Sequence, residues 1–212
     1  HGRQQCGEVF SQRLRAVEKR LAEALEGPRG GKAVHFLHPD APFELPLRRG
    51  DAVPMRSWYR AQEGGSEAAI GAVRAAAAAA AAAAVAPIRI RGILAFSQGC
   101  MVAAELLRCG GVLPDLAFVV LAGGLLPGAW PAVLSPMLDV PALIFAGAKD
   151  SIVPLAKTKA LAAAFRSHVF HVHDKGHCFP SRADECRQIV AFAQRHCAAA
   201  TADIPFERSE DL

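Results

Sequence analysis

The stretch GILAFSQGCM, residues 92–101, decides the fold. Ile93, Leu94, Ala95 and Phe96 form a short apolar run suited to a buried strand. From Gln98 onward, QGCMVAAELLRCGG reads as a helix closed by Gly110 and Gly111. Ser97 stands on the corner between them. A sharp strand-to-helix turn pushes its side chain into the open, and the small residues Ala95 and Gly99 leave room for such an elbow. That is a chemical posture, and it raises the question of what stands near it.

Working outward, strands and helices alternate. Val9, Phe10, Leu14, Val17, Leu21 and Leu25 recur at helical spacing until Gly27 and Pro28 stop the pattern. KAVHFL (32–37) reads as a strand, and the proline-dense segment 38–55 as a loop. Residues 66–86 read as an alanine-rich helix with Ser66 as its N-cap and Pro87 beyond its end. Strands are then expected at 91–96, 116–123, 141–147 and 168–172, and helices from 98, over 155–165 and over 183–199. Continuous apolar strands separated by helices predict a mostly parallel sheet covered on both faces. One domain is expected over 1–199, followed by a polar tail, 200–212.

Composition narrows the function. The chain has 212 residues, 52% of them hydrophobic and 21% charged, which fits a folded domain with a full core. Net charge is +4, but the basic clusters RLRAVEKR and LRRG are short and lack interleaved aromatics. They read as solvated faces, not a nucleic-acid surface. No apolar run reaches the about 18 residues that a membrane span needs. Six cysteines show no CxxC pair, so free thiols in a reducing, cytoplasmic setting are expected.

In an open parallel sheet, sites form at the carboxyl ends of the strands. Ser97 follows 91–96, Asp150 follows 141–147, and His177 ends the HDKGH that follows 168–172. The order Ser, Asp, His is that of the α/β-hydrolase triad. A serine hydroxyl is a weak nucleophile without a base in reach. A histidine can take its proton at neutral pH and return it to the leaving group. A buried carboxylate holds the imidazole in the required tautomer. For the oxyanion, one donor is the Gln98 N–H at a helix start, and the Arg3 N–H in HGRQQCG is the candidate for the other. A competing reading takes His168, His171, His173, His177 and Cys178 as metal ligands. Histidines near a strand end are more simply core or surface residues, so no metal is expected.

These segments resemble the FSH family of serine hydrolases. The matching stretches are HGRQQCGEVFSQRL, HPDAPFELP, RSWY, GILAFSQGCMVAAEL, FVVLAGG, LIFAGAKDSIVP and HDKGHCFP. The resemblance implies an α/β-hydrolase fold without a large lid, Ser97 as nucleophile, Asp150 as acid and His177 as base. It also implies cleavage of a small-molecule ester or thioester without a cofactor. The sequence departs at Ala95 and Lys175, where the family usually has glycine. Phe43, Trp58 and Tyr59 lie where the loop should border the site, and would suit an apolar acyl chain. The family carries a hydrophobic strand just before its HG motif, so a strand upstream of His1 is expected, seated between 32–37 and 91–96. A chain lacking that strand could instead be a catalytically impaired binding scaffold.

Overall fold

The computed structural model describes residues 1–26, 33–47, 53–59, 66–128, 130 and 137–202. Helix α1 (Gly7–Glu26) opens the chain, followed by a two-stranded ribbon of β1 (Phe43–Glu44) and β2 (Arg56–Ser57). Then come α2 (Ser66–Ala83), β3 (Gly92–Phe96), α3 (Gln98–Cys109), β4 (Phe118–Ala122) and β5 (Ala142–Gly147). Helix α4 (Leu155–Ala162), β6 (His168–His173) and α5 (Ala183–Ala202) complete the order.

The four longer strands form one sheet in the order β3-β4-β5-β6, and every pairing is parallel. Alternation along the strands sorts their side chains between two layers. Val120 and Ala122 of β4, with Leu143 and Phe145 of β5, meet Phe10, Leu14, Val17 and Leu21 of α1 and Ile189 and Phe192 of α5. Val119 and Leu121, with Ala142 and Ile144, meet Cys100, Ala103 and Ala104 of α3 and Leu161 of α4. Both faces are therefore covered, which is why β4 and β5 are buried at every position. The arrangement is the α/β architecture that the alternation of strands and helices predicts.

Beyond shifts of a few residues at element ends, such as α2 stopping at Ala83 where 86 is expected, several details differ from the sequence reading. The expected strand at 32–37 does not form: residues 33–37 carry no regular structure, although their exposure alternates as in an extended chain. Lys32 lies outside the described residues. A strand requires a hydrogen-bonded neighbour, and β3 is the edge of the sheet, with β4 on one side and no partner on the other among the described residues. Helix α4 stops at Ala162, short of 165, because Phe165 instead bridges to Leu138 and buries its ring completely. Helix α5 runs past 199 to Ala202, while the rest of the expected tail, 203–212, lies outside the described residues. The segment 38–55, read as loop, contributes β1, which pairs antiparallel with β2.

Candidate active site

At the end of β3 the chain turns through Ser97 with φ 53° and ψ −117°. A positive φ at a non-glycine residue costs on the order of 1–3 kcal/mol and persists only where its surroundings enforce it. Here the Ser97 N–H donates to Ala122 O at 2.9 Å, pinning the elbow to β4. Gly99, two residues beyond, must be small for a reason the sequence does not show. A Cβ there would meet His1 O at 2.8 Å.

The three residues expected at the strand ends come together. His177 Nε2 lies 2.9 Å from Ser97 Oγ. His177 Nδ1 lies 2.6 Å from Asp150 Oδ2. The Asp150 side chain is 1% exposed. Its other oxygen accepts the backbone N–H groups of Ile152 and Val153 at 2.9 and 2.8 Å. A carboxylate held from both sides in this way has one orientation to offer the imidazole. The Phe96 ring tilts against His177 with centroids 4.7 Å apart. Gly123, at φ 53°, closes the floor: a Cβ there would stand 3.1 Å from His177 Nδ1.

The loops carrying acid and base are tied to each other. Ala148 N–H donates to His173 O at 2.8 Å, and Lys149 N–H to Lys175 O at 3.1 Å. The Lys175 side chain reaches Glu185 at 3.4 Å. Glu185 is 5% exposed and its Oε2 accepts the backbone N–H groups of Ser181 and Arg182, both at 2.7 Å. Burial works to raise its pKa, but those two donors and the Lys175 ammonium together hold the carboxyl below the usual range.

The other histidines of the segment have separate surroundings. His171 stacks on Phe145 at 5.4 Å. His173 Nδ1 accepts the Lys175 N–H at 3.3 Å, and burial lowers its pKa. His168 Nδ1 lies 3.3 Å from Phe165 O. Among the described residues, no three His, Cys, Asp or Glu side chains converge as metal ligands.

Helix α3 begins at Gln98, and the segment carrying Arg3 passes beside the elbow: a Cβ on Gly2 would lie 3.2 Å from Ser97 Cβ. Neither the Arg3 nor the Gln98 backbone N–H donates to a protein acceptor among the described residues. Of the aromatic residues read as pocket lining, Phe43 is half-buried in β1. Trp58 is 2% exposed and packs with Ala41, Ile70, Val102 and Leu106. Tyr59 packs at the margin of the same cluster, where burial first, and Glu105 second, push its phenol pKa upward. Trp58 and Tyr59 thus both contribute to this buried cluster. The sequence reading missed the Gln98 side chain, whose Oε1 accepts the Trp58 N–H at 2.8 Å. It also missed Glu185, although a glutamate at the third position of a helix is a recognisable capping signal.

A parallel sheet covered by helices, with a serine on a strand-to-helix elbow and a histidine and a buried aspartate behind it, defines an α/β-hydrolase. Solved structures share the fold. Arabidopsis thaliana SOBER1 superposes with a TM-score of 0.63 over 93% of this chain and 96% of its own, at 19% identity. Zea mays acyl-protein thioesterase 2 does so with a TM-score of 0.52 over 92% and 90%, also at 19% identity. Residues 1–189 match the family model described as serine hydrolase (FSH1), and the chain belongs to that family. A further relative is Esterase CG5412 of Drosophila melanogaster, 28% identical in an alignment 211 residues long that covers 92% of this chain and 71% of that protein. The protein is a hydrolytic enzyme of the serine hydrolase class.

Proposed function

We propose that the enzyme cleaves carboxylic esters or thioesters of apolar acyl groups through an acyl-enzyme on Ser97. The observation that carries this reading is the continuous chain Ser97 Oγ, His177, Asp150, at 2.9 and 2.6 Å. In the first half-reaction His177 Nε2 takes the Ser97 proton as Oγ attacks the acyl carbon. The oxyanion that forms is met by the backbone N–H groups of Gln98 and Arg3. Collapse breaks the bond to the alcohol or thiol, which leaves with the proton from His177. Water then repeats the sequence on the acyl-enzyme, releasing the acid and restoring Ser97. Asp150 accepts the His177 Nδ1–H throughout and favours the imidazolium.

No step draws on a cofactor. The esterase and thioesterase names of the relatives support the substrate class. The described cysteines are free, which supports a cytoplasmic setting, and no described helix is long and apolar enough to cross a membrane. For an apolar acyl pocket, each methylene buried adds roughly 0.8 kcal/mol to binding. The test is a fluorophosphonate probe with identification of the labelled peptide. Labelling is expected at Ser97 alone, and Ser97→Ala is expected to abolish it and to lower kcat by up to about 10⁶. Labelling of another serine, or turnover retained by Ser97→Ala, overturns the assignment.

A further inference from the structure

We infer that the segment Arg56–Trp58 is a clasp that fixes the distance between the two oxyanion donors, and that the Gln98 side chain is its attachment to the nucleophile elbow. The inference rests on the assignment of Ser97 as nucleophile. The two donors lie far apart in sequence, on the Arg3 turn and on the first residue of α3. The segment between them is bonded to both sides: Arg56 and Trp58 to the residues flanking Arg3, and Ser57 and Trp58 to Gln98.

On the Arg3 side, Gln4 N–H donates to Arg56 O at 2.9 Å, and Arg56 N–H donates to Gln5 O at 3.0 Å. The Trp58 indole N–H donates to His1 O at 2.8 Å. These bonds bracket Arg3 in sequence. The turn between them is tight: Gln4 has φ 61°, and Gly2 N–H donates to Gln5 Oε1 at 2.9 Å. On the elbow side, Gln98 Oε1 accepts the Trp58 N–H at 2.8 Å and lies 3.2 Å from Ser57 Oγ. The Ser57 hydroxyl also reaches Tyr59 O at 2.7 Å, so its one proton is shared between two acceptors. Gln98 therefore presents two groups with different tasks: its N–H faces the reaction, and its carboxamide oxygen holds the clasp.

Three observations favour a positioning role over simple packing. First, Ser57 and Trp58 are 1% and 2% exposed. The donor residues are shielded from water, and loss of an acceptor leaves a buried donor unpaired. Second, the clasp is anchored from behind. Arg56 donates through Nη1 to Ala41 O at 3.1 Å and through Nη2 to Glu44 at 2.7 Å, joining it to the β1 ribbon. Third, the positive φ of Gln4 sits next to the donor residue Arg3, where strain is retained only if the surroundings enforce it. An oxyanion hole works by donors already in place when charge develops, and displacement of one by about 1 Å can cost about 10²-fold in rate.

The test uses Gln98→Met, which keeps the backbone N–H and removes the carboxamide oxygen. Ser57→Ala makes a smaller change at the same joint. Trp58→Phe removes the indole donor on the Arg3 side. Each is expected to lower kcat by about 10- to 100-fold while KM stays within about twofold. A trifluoromethyl ketone adds to the serine as a hemiketal whose oxygen occupies the oxyanion hole. Its inhibition constant should weaken by the same factor as kcat/KM, while that of the unfluorinated ketone stays unchanged. Equal weakening of both ketones, or kcat/KM unchanged in Ser57→Ala and Trp58→Phe, overturns the clasp. Ser97→Ala assayed alongside separates the two readings. If it retains turnover, the nucleophile assignment fails. If it is inactive while the other variants match wild type, only the clasp fails.

Discussion

Ser97 carries two burdens at once, a hydroxyl hydrogen-bonded to His177 and a backbone at positive φ. Alanine ordinarily stabilises relative to glycine in a helix or at its edge, but a positive φ reverses the order, because a Cβ is penalised there and glycine is not. Ser97→Gly is therefore expected to be more stable than Ser97→Ala by about 1 kcal/mol, with both inactive. Urea melts of the two variants decide it, and equal midpoints would mean that the elbow is not strained. Ser97, Asp150 and His177 were legible in the sequence because each follows a strand whose apolar run announces its own end. The Gln98 side chain was not legible. Its partners Ser57 and Trp58 stand 41 and 40 positions upstream, in a segment without periodicity. A loop aromatic such as Trp58 gives no sign in sequence of which way its ring faces; its burial emerges only in the fold.

At the scale of elements, the helices and the inner strands followed from periodicity, and the boundaries followed where glycine or proline marked them. The segment 33–37 failed for a reason outside itself, since β-branched and aromatic residues make a strand only beside another strand. Helix α5 shows the converse, an end fixed by one side chain. Glu185 satisfies the N–H groups of Ser181 and Arg182, donors that the helix itself leaves unpaired. Glu185→Ala is expected to cost about 1–3 kcal/mol at pH 7. The sign with pH follows from its depressed folded pKa. The ionised carboxyl contributes fully above its unfolded value of 4.5, and that contribution is lost as pH falls through the lower folded value. The gap between wild type and variant in denaturant melts should therefore narrow in acid. A constant gap from pH 7 to pH 3 would show that the charge contributes nothing.

At the scale of the whole molecule, the sheet and the candidate site are joined across long separations. Every ladder of the sheet is parallel, so every neighbouring pair of strands is linked by a crossover. Ser97 meets His177 over 80 positions, and Trp58 meets His1 over 57. Fold class was legible despite this, because alternation of strand and helix leaves few solutions. The same topology has a consequence in time. Non-local contacts form late, and chains longer than about 150 residues commonly pass through populated intermediates. Secondary structure in the two core layers can assemble before the Arg3 turn has found Arg56. During refolding from urea, far-ultraviolet circular dichroism should recover first and reactivity of Ser97 toward a fluorophosphonate should lag behind it. A single shared rate for both signals would show that no such interval exists. If the lag is there, the newly folded enzyme passes through an inert youth, with its sheet complete before its serine can react.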